Sequence, residues 1–184
     1  KKFSAASVSL LTKEFEEIRK AWQKRTLEDT YYVIYTDAIF IPVRRETVSR
    51  EAFYIVLGLR KDLKREILGV YNIPVETAEG WKEVMKDLKQ RGLKKVLLFV
   101  ADGLSNLEDV IVDEFPMAQL QKCLVHKIRN VLISARSTDK PAIVTDFKEV
   151  FLLGNESDTF IQAKARLNKF IAKWGKKYPS IKNK

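Results

Sequence analysis

Thiol chemistry in this chain rests on a single residue, Cys123, so an internal disulfide framework is excluded and a reducing compartment fits. Glycine is sparse, at seven residues, and none of the Gly-x-Gly-x-x-Gly or Gly-x-x-x-x-Gly-Lys patterns that cradle phosphates occurs. Long apolar runs are missing too. The longest, Val96-Leu97-Leu98-Phe99-Val100-Ala101, is strand length, far short of the roughly 20 residues a membrane helix requires. No signal peptide is visible at Lys1-Lys2-Phe3, and the lack of an initiator methionine suggests a fragment. Internal repeats and low-complexity tracts are also absent. These absences together lead us to expect a soluble, intracellular protein with no membrane partner.

What is present is a core and an excess of positive charge. Hydrophobic residues make up 46% of the 184 residues and charged residues 32%, a balance that can bury a core and does not describe a disordered tail. Thirty-four Lys and Arg against 24 Asp and Glu give a formal charge of +10. Such an excess favours a polyanionic partner through counterion release, although many basic domains bind no nucleic acid.

Three regions separate by periodicity. Val8, Leu11, Phe15, Ile18 and Trp22 recur at three- and four-residue steps, which predicts an amphipathic helix over 7–27 with Ser7 or Ser9 as N-cap. From Tyr31 the pattern turns to strand: 31–43, broken by Pro42, then 48–59, then 66–73, a meander with short connections, the first of them a basic turn at Arg44-Arg45-Glu46. Thr77 reads as the N-cap of a helix ended by Gly92, followed by a buried strand at 95–101, a short helix at 106–114 and a last strand at 119–124. After His126 only helical spacing remains, at 128–134, 142–153 and 159–174. The stretch 164–184 is strongly basic, suiting either a solvated surface or one facing DNA. Three meander strands followed by helix, strand, helix, strand imply an α/β protein with a mixed sheet. Trp22, Trp81 and Trp174 all sit on helical stripes and read as core.

Two aspartates interrupt apolar strands. Asp37 lies inside Ile34-Tyr35-Thr36-Asp37-Ala38-Ile39, and Asp102 closes Phe99-Val100-Ala101-Asp102-Gly103. Asp is disfavoured in strands, and a buried ionised carboxylate is costly unless paired. If the two strands are neighbours, the pair offers hard oxygen ligands of the kind Mg²⁺ accepts when phosphates complete its shell. Each Asp alone also fits a turn or capping residue, and the spacing is compatible with many α/β enzymes.

Further motifs make the sequence recognisable. Tyr35-Thr36-Asp37-Ala38, Ala52 to Gly58, Glu66-Ile67-Leu68-Gly69, Trp81 to Gly92, Asp102-Gly103-Leu104, Phe115-Pro116 and Cys123-Leu124-Val125-His126-Lys127-Ile128-Arg129-Asn130 resemble, in order, the catalytic domain of Mutator-type bacterial insertion-sequence transposases. The resemblance covers roughly 7–179. It implies an RNase H-like fold with an Asp-Asp-Glu triad, Mg²⁺ or Mn²⁺ as cofactor, and DNA, both element ends and target, as partner. It further implies a homo-oligomer in the intact protein and a DNA-associated place in the bacterial cytoplasm. Asp37 and Asp102 match the first two catalytic, metal-binding acids. The matching Glu is expected after a helical insertion, and neither Glu149 nor Glu156 sits in a matching motif. On this reading 1–30 is the trailing helix of an upstream DNA-binding region, 31–127 a partial catalytic core and 128–184 a helical insertion segment. DNA cleavage and strand transfer would belong to the intact protein, and the fragment alone would lack its third ligand.

Cys123 and His126 form a lone Cys-x-x-His, two ligands short of a closed zinc site. No convincing group orients His126 as base for a thiol nucleophile, and Cys123 also fits a buried position at a strand end. The resemblance adds a supporting role beside the active site. Arg44, Arg45, Lys127 and Arg129 are candidate phosphate contacts, although each alone is more often a solvated surface residue. Two other readings remain: a non-catalytic DNA-binding or assembly module from a truncated transposase, and a small-molecule α/β enzyme, disfavoured by the missing glycine loop.

Overall fold

The computed structural model describes residues 4–44, 46–73, 77–102, 105–152, 157–179 and 181. Arg45, Gly103 and the 154–156 connection, including Glu156, lie outside the described residues. The chain divides into two compact units, 1–122 and 123–184.

The first unit opens with α1 (Ala5–Lys24), capped by the Ser4 side chain, which accepts from the Ser7 N–H at 3.1 Å. The cap therefore lies three residues before the earlier of the two expected serines. Next come β1 (Thr30–Arg44), β2 (Val48–Leu59) and β3 (Arg65–Ile73), then α2 (Ala78–Gln90), β4 (Lys95–Ala101), α3 (Ser105–Glu114) and β5 (Gln119–Lys122). The expected N-cap at Thr77 is present, its side chain accepting from Gly80 N–H at 3.1 Å. Gly92 follows α2 with φ +112°, a conformation that side chains resist, and the chain there is held by the Leu27 N–H to Arg91 carbonyl bond of 2.7 Å.

The sheet has the order β3-β2-β1-β4-β5. β1 and β2, and β2 and β3, are antiparallel, whereas β4 runs parallel to β1 and β5 parallel to β4. An antiparallel three-strand meander plus two parallel strands, with helices, is the mixed RNase H-like sheet that the sequence led us to expect. β1 stays paired with β2 from Val33↔Leu59 to Arg44↔Val48, but with β4 only as far as Thr36↔Ala101. β1 therefore runs through Pro42 at a point where its β4 side has no ladder to lose a donor from.

One core forms around the sheet. Ile34, Tyr54, Val56, Leu68 and Phe99 are buried together with Trp81, Val84, Met85 and Leu88 of α2 and Leu107 and Ile111 of α3. Trp81 meets Tyr54 edge-on with centroids 4.6 Å apart. Alternation along the strands leaves Tyr35, Asp37 and Ile39 of β1 exposed while Ile34 and Thr36 are buried.

The second unit is helical: α4 (Leu124–Ile133), α5 (Lys140–Val150) and α6 (Phe160–Trp174). Val131, Ile143, Val150, Phe170, Trp174 and Tyr178 make a separate core. Here the expected boundaries shift. The last strand ends at Lys122, not at 124, and the helix starts at Leu124, not at 128. Leu124, Ile128, Val131 and Ala135 fall at helical steps, Val131 and Ala135 are buried in this unit's core and Ile128 packs against it, so the stripe prevails over a short β-like run.

Candidate metal centre

Asp37 and Asp102 are positioned by the parallel ladder between β1 and β4. The ladder ends at Thr36↔Ala101, both buried, and each aspartate is the next residue along its chain. Neighbouring strands lie about 4.8 Å apart, so the register sets the two residues side by side where β4 stops. Asp37 is exposed and Asp102 half-buried. The Ala38 N–H donates to Oδ1 of Asp37 at 2.8 Å, which restrains that carboxylate at the sheet edge. This edge lies at the carboxyl ends of the parallel strands, where open α/β sheets place their sites.

Two oxygen-donor side chains at adjacent strand ends suit a hard divalent cation, as part of a shell that phosphates and water complete. They are not a closed site. Among the described residues no group of three or more His, Cys, Asp or Glu is arranged to hold a metal. Zinc coordination by Cys123 and His126 finds no support in that geometry either.

The other candidates divide between the two units. Arg44, exposed, sits at the far end of β1 opposite Val48; Arg45 is outside the described residues. Cys123, His126, Lys127 and Arg129 belong to the second unit. Cys123 is the N-cap residue of α4 without a side-chain cap bond, and its carbonyl accepts from Lys127 N–H at 3.0 Å. It is half-buried and at the start of a helix, where the sequence suggested burial at a strand end. His126 and Lys127 lie half-buried in the first turn of α4, with Arg129 exposed beyond them. His126 and Arg129, three residues apart, share one side of the helix.

An acidic set that the sequence reading passed over organises the second unit. Asp146 accepts from Trp174 Nε1–H at 2.7 Å and pairs with Lys173 at 2.6 Å. Asp139 pairs with Lys177 at 2.6 Å and accepts from the Tyr178 hydroxyl, and Asp158 accepts from Arg166 Nη1 at 2.9 Å. Hydrogen bonds from these partners hold all three carboxyls below the usual carboxylate range, with the cation's charge adding to the effect. Three basic residues of the 164–184 stretch are thus committed to internal acids. Local sequence pattern carries no signal for these pairings, which join residues 8 to 39 positions apart. Glu149 lines a groove of about 230 Å³ with Asp146, Arg166 and Lys173, where Asp146 is already paired with Lys173.

An RNase H-like sheet with paired aspartates at adjacent parallel strand ends defines the class of domain: an α/β fold whose open edge carries hard oxygen donors. Residues 1–184 match the transposases of the Mutator family, and the chain belongs to that family. It is 36% identical over 179 residues to the transposase of insertion sequence element IS1201 from Lactobacillus helveticus, covering 97% of this chain and 47% of that protein. It is 32% identical to the IS905 transposase of Lactococcus lactis, covering 97% and 45%. The chain spans about half the length of these curated relatives. Among solved structures it is similar to the Drosophila P element transposase in its strand transfer complex, with TM-score 0.40 and 11% identity over 89% of this chain and 49% of that one. Among the described residues no helix is long and apolar enough to cross a membrane.

Proposed function

We propose that Asp37 and Asp102 are two of the three acidic ligands of a DNA-cutting and DNA-joining centre that holds Mg²⁺ or Mn²⁺ in the intact transposase. The observation that carries this reading is the β1–β4 register, which sets both carboxylates one step past Thr36↔Ala101. When bound, divalent cations at such a site activate the attacking oxygen and stabilise the leaving one. The chain's own part is to fix two oxygen donors on a rigid sheet edge, so that ligand geometry is set before DNA arrives. Arg44, Arg45, Lys127 and Arg129 are the proposed phosphate contacts. His126 is proposed as a supporting residue in strand cleavage, and Cys123 shapes the start of its helix. The proposed division is a trailing helix of a DNA-binding region over 1–30, a partial catalytic core over 31–127 and a helical insertion over 128–184. The third ligand is expected to be a Glu outside the matched positions, so this chain alone binds metal weakly and does not cut DNA. Element ends and target DNA are the proposed partners, and the intact protein is proposed to act as a homo-oligomer.

Titration of the chain with Mn²⁺ tests the site. Binding is expected in the millimolar range or tighter, and Asp37→Asn or Asp102→Asn is expected to abolish it while leaving the fold intact. Uptake unchanged in both variants would overturn the assignment. No uptake, with salt-dependent DNA binding retained, would favour the second reading, a DNA-binding or assembly module without catalysis; the net charge of +10 is what keeps that reading in view. In the intact enzyme, His126→Ala is expected to slow strand cleavage, and an unchanged rate would remove the supporting role.

A further inference from the structure

Helix α1 presents apolar side chains to solvent where a globular domain would bury them. Leu11, Phe15 and Ile18 are 43%, 67% and 59% exposed, on a helix of 20 residues. Its C-terminal end meets the sheet. There Trp22 and Gln23 border a cavity lined by Phe53, Val70 and Asn72, and Gln23 Oε1 accepts from Val70 N–H at 3.5 Å. Just beyond the helix, Arg25 pairs with Glu66 at 3.1 Å and stacks 4.8 Å from the Trp22 ring.

The stripe has the spacing of a coiled-coil seam. Val8, Leu11, Phe15, Ile18 and Trp22 follow one another at 3, 4, 3 and 4 residues, the alternation of a and d positions in a heptad. On that assignment Val8, Phe15 and Trp22 are a, and Leu11 and Ile18 are d. Glu14 then takes position g and Arg19 position e. In a parallel pair the g residue of one helix meets the e residue of the following heptad on the other, so each Glu14 faces an Arg19 of opposite charge, twice by symmetry. An antiparallel pair sets g against g and e against e and forfeits that match. The charges on the outer face are already satisfied within the helix, with Lys20 at 3.6 Å from Glu16 and 3.3 Å from Glu17. Among the described residues Arg19 has one ion pair, a long 3.9 Å contact with Glu16; its side chain is 61% exposed and borders the same cavity as Trp22.

We infer that α1 is a self-association element: two copies of the chain pair through a parallel, in-register seam of Leu11, Phe15 and Ile18, flanked by reciprocal Glu14–Arg19 ion pairs. A seam this short is marginal for free helices. Anchoring at Trp22 and Arg25 offsets this by fixing the helix end and its direction before association. The inference deepens the homo-oligomer part of the proposed function and is independent of the metal chemistry.

The test is the mass of the 184-residue chain by light scattering at tens of micromolar, without DNA or metal. Twice the protomer mass of 21.3 kDa is expected. Phe15→Asp and Ile18→Asp should each return it to the protomer mass with an unchanged circular-dichroism spectrum, because both side chains are exposed in the protomer. Glu14→Arg or Arg19→Glu alone should weaken the dimer several-fold, and the two together should restore it. In a Cys123→Ser background, Leu11→Cys should cross-link on mild oxidation, because a d position meets its own symmetry mate only in the parallel register. A monomer at every concentration, or a dimer indifferent to Phe15→Asp, would overturn the seam; the first outcome would leave the stripe to another segment of the longer protein. Absence of the cross-link with the dimer intact would overturn the parallel geometry. A monomer that still binds Mn²⁺ would sink the seam and leave the metal site standing.

Discussion

Gly58 stands opposite Ile34 in the β1–β2 ladder, and a Cβ added there would lie 2.5 Å from Cδ1 of Tyr31. Tyr31 has nowhere to retreat. It is fully buried, and its hydroxyl donates to Glu66 Oε1 at 2.6 Å. Burial first and that hydrogen bond second push the phenol well above its ordinary value, so it stays neutral and a donor throughout the working range. Gly58→Ala is therefore expected to cost about 1–3 kcal/mol through overpacking. Urea unfolding measures it, and the penalty should shrink in a Tyr31→Leu background, since the two sites share one contact. A second residue-scale prediction concerns Arg91, whose side chain is 6% exposed and pairs with Asp87 at 3.2 Å. Asp87→Ala would leave that guanidinium buried without its counter-charge. Asp87 itself is 37% exposed, so the loss should fall between the ~0–1 kcal/mol of a surface pair and the ~3–5 kcal/mol of a buried one. A loss near zero would mean that water reaches Arg91.

Helix α6 begins with a reciprocal cap: Thr159 Oγ1 accepts from Gln162 N–H at 3.3 Å, and Gln162 Oε1 accepts from Thr159 N–H at 2.8 Å. Thr159→Ala should cost about 1 kcal/mol, read as a lower melting temperature of the helical unit, and a change within a few tenths would show the cap to be redundant. In the sequence Thr159 reads only as the start of helical spacing, whereas a cap was legible at Thr77 because a hydroxyl directly precedes an apolar period. The cap of α1 was not, because Ser4, Ser7 and Ser9 all satisfy the same rule. The strands at 48–59 and 95–101 could be read to the residue, since turn residues bound them on both sides. The 119–124 strand could not: Cys123, Leu124 and Val125 suit a strand locally, and only packing against the second core makes them helical. Asp37 and Asp102 were visible one at a time, as polar breaks in apolar strands. Their adjacency depends on a parallel register between strands more than fifty residues apart, which local pattern does not encode. The Asp139, Asp146 and Asp158 partnerships were invisible for the same reason.

Acidification joins these partnerships to the charge of the whole chain. Asp139, Asp146 and Asp158 each titrate lower in the folded state than an ordinary aspartate, because cationic or hydroxyl donors hold the ionised form. A depressed folded value means the unfolded chain binds protons first as pH falls. The stabilisation is then complete above the ordinary carboxylate value of about 4 and is lost progressively below it. Glu114, paired with Lys89 at 2.8 Å, acts in the same direction in the first unit. Protonating carboxylates also strips the counter-charge from 34 Lys and Arg, so self-repulsion grows over the same interval. We expect melting temperature to change little between pH 8 and pH 5 and to fall steeply below about pH 4. Salt should soften the fall if repulsion dominates, because screening acts across the whole surface. Asp146→Asn should separate the two contributions. It removes one depressed carboxyl at a cost of only one charge, so the variant should begin less stable at neutral pH and lose less on acidification. Parallel pH profiles for variant and parent would show that the Asp146 partnership contributes nothing to acid unfolding.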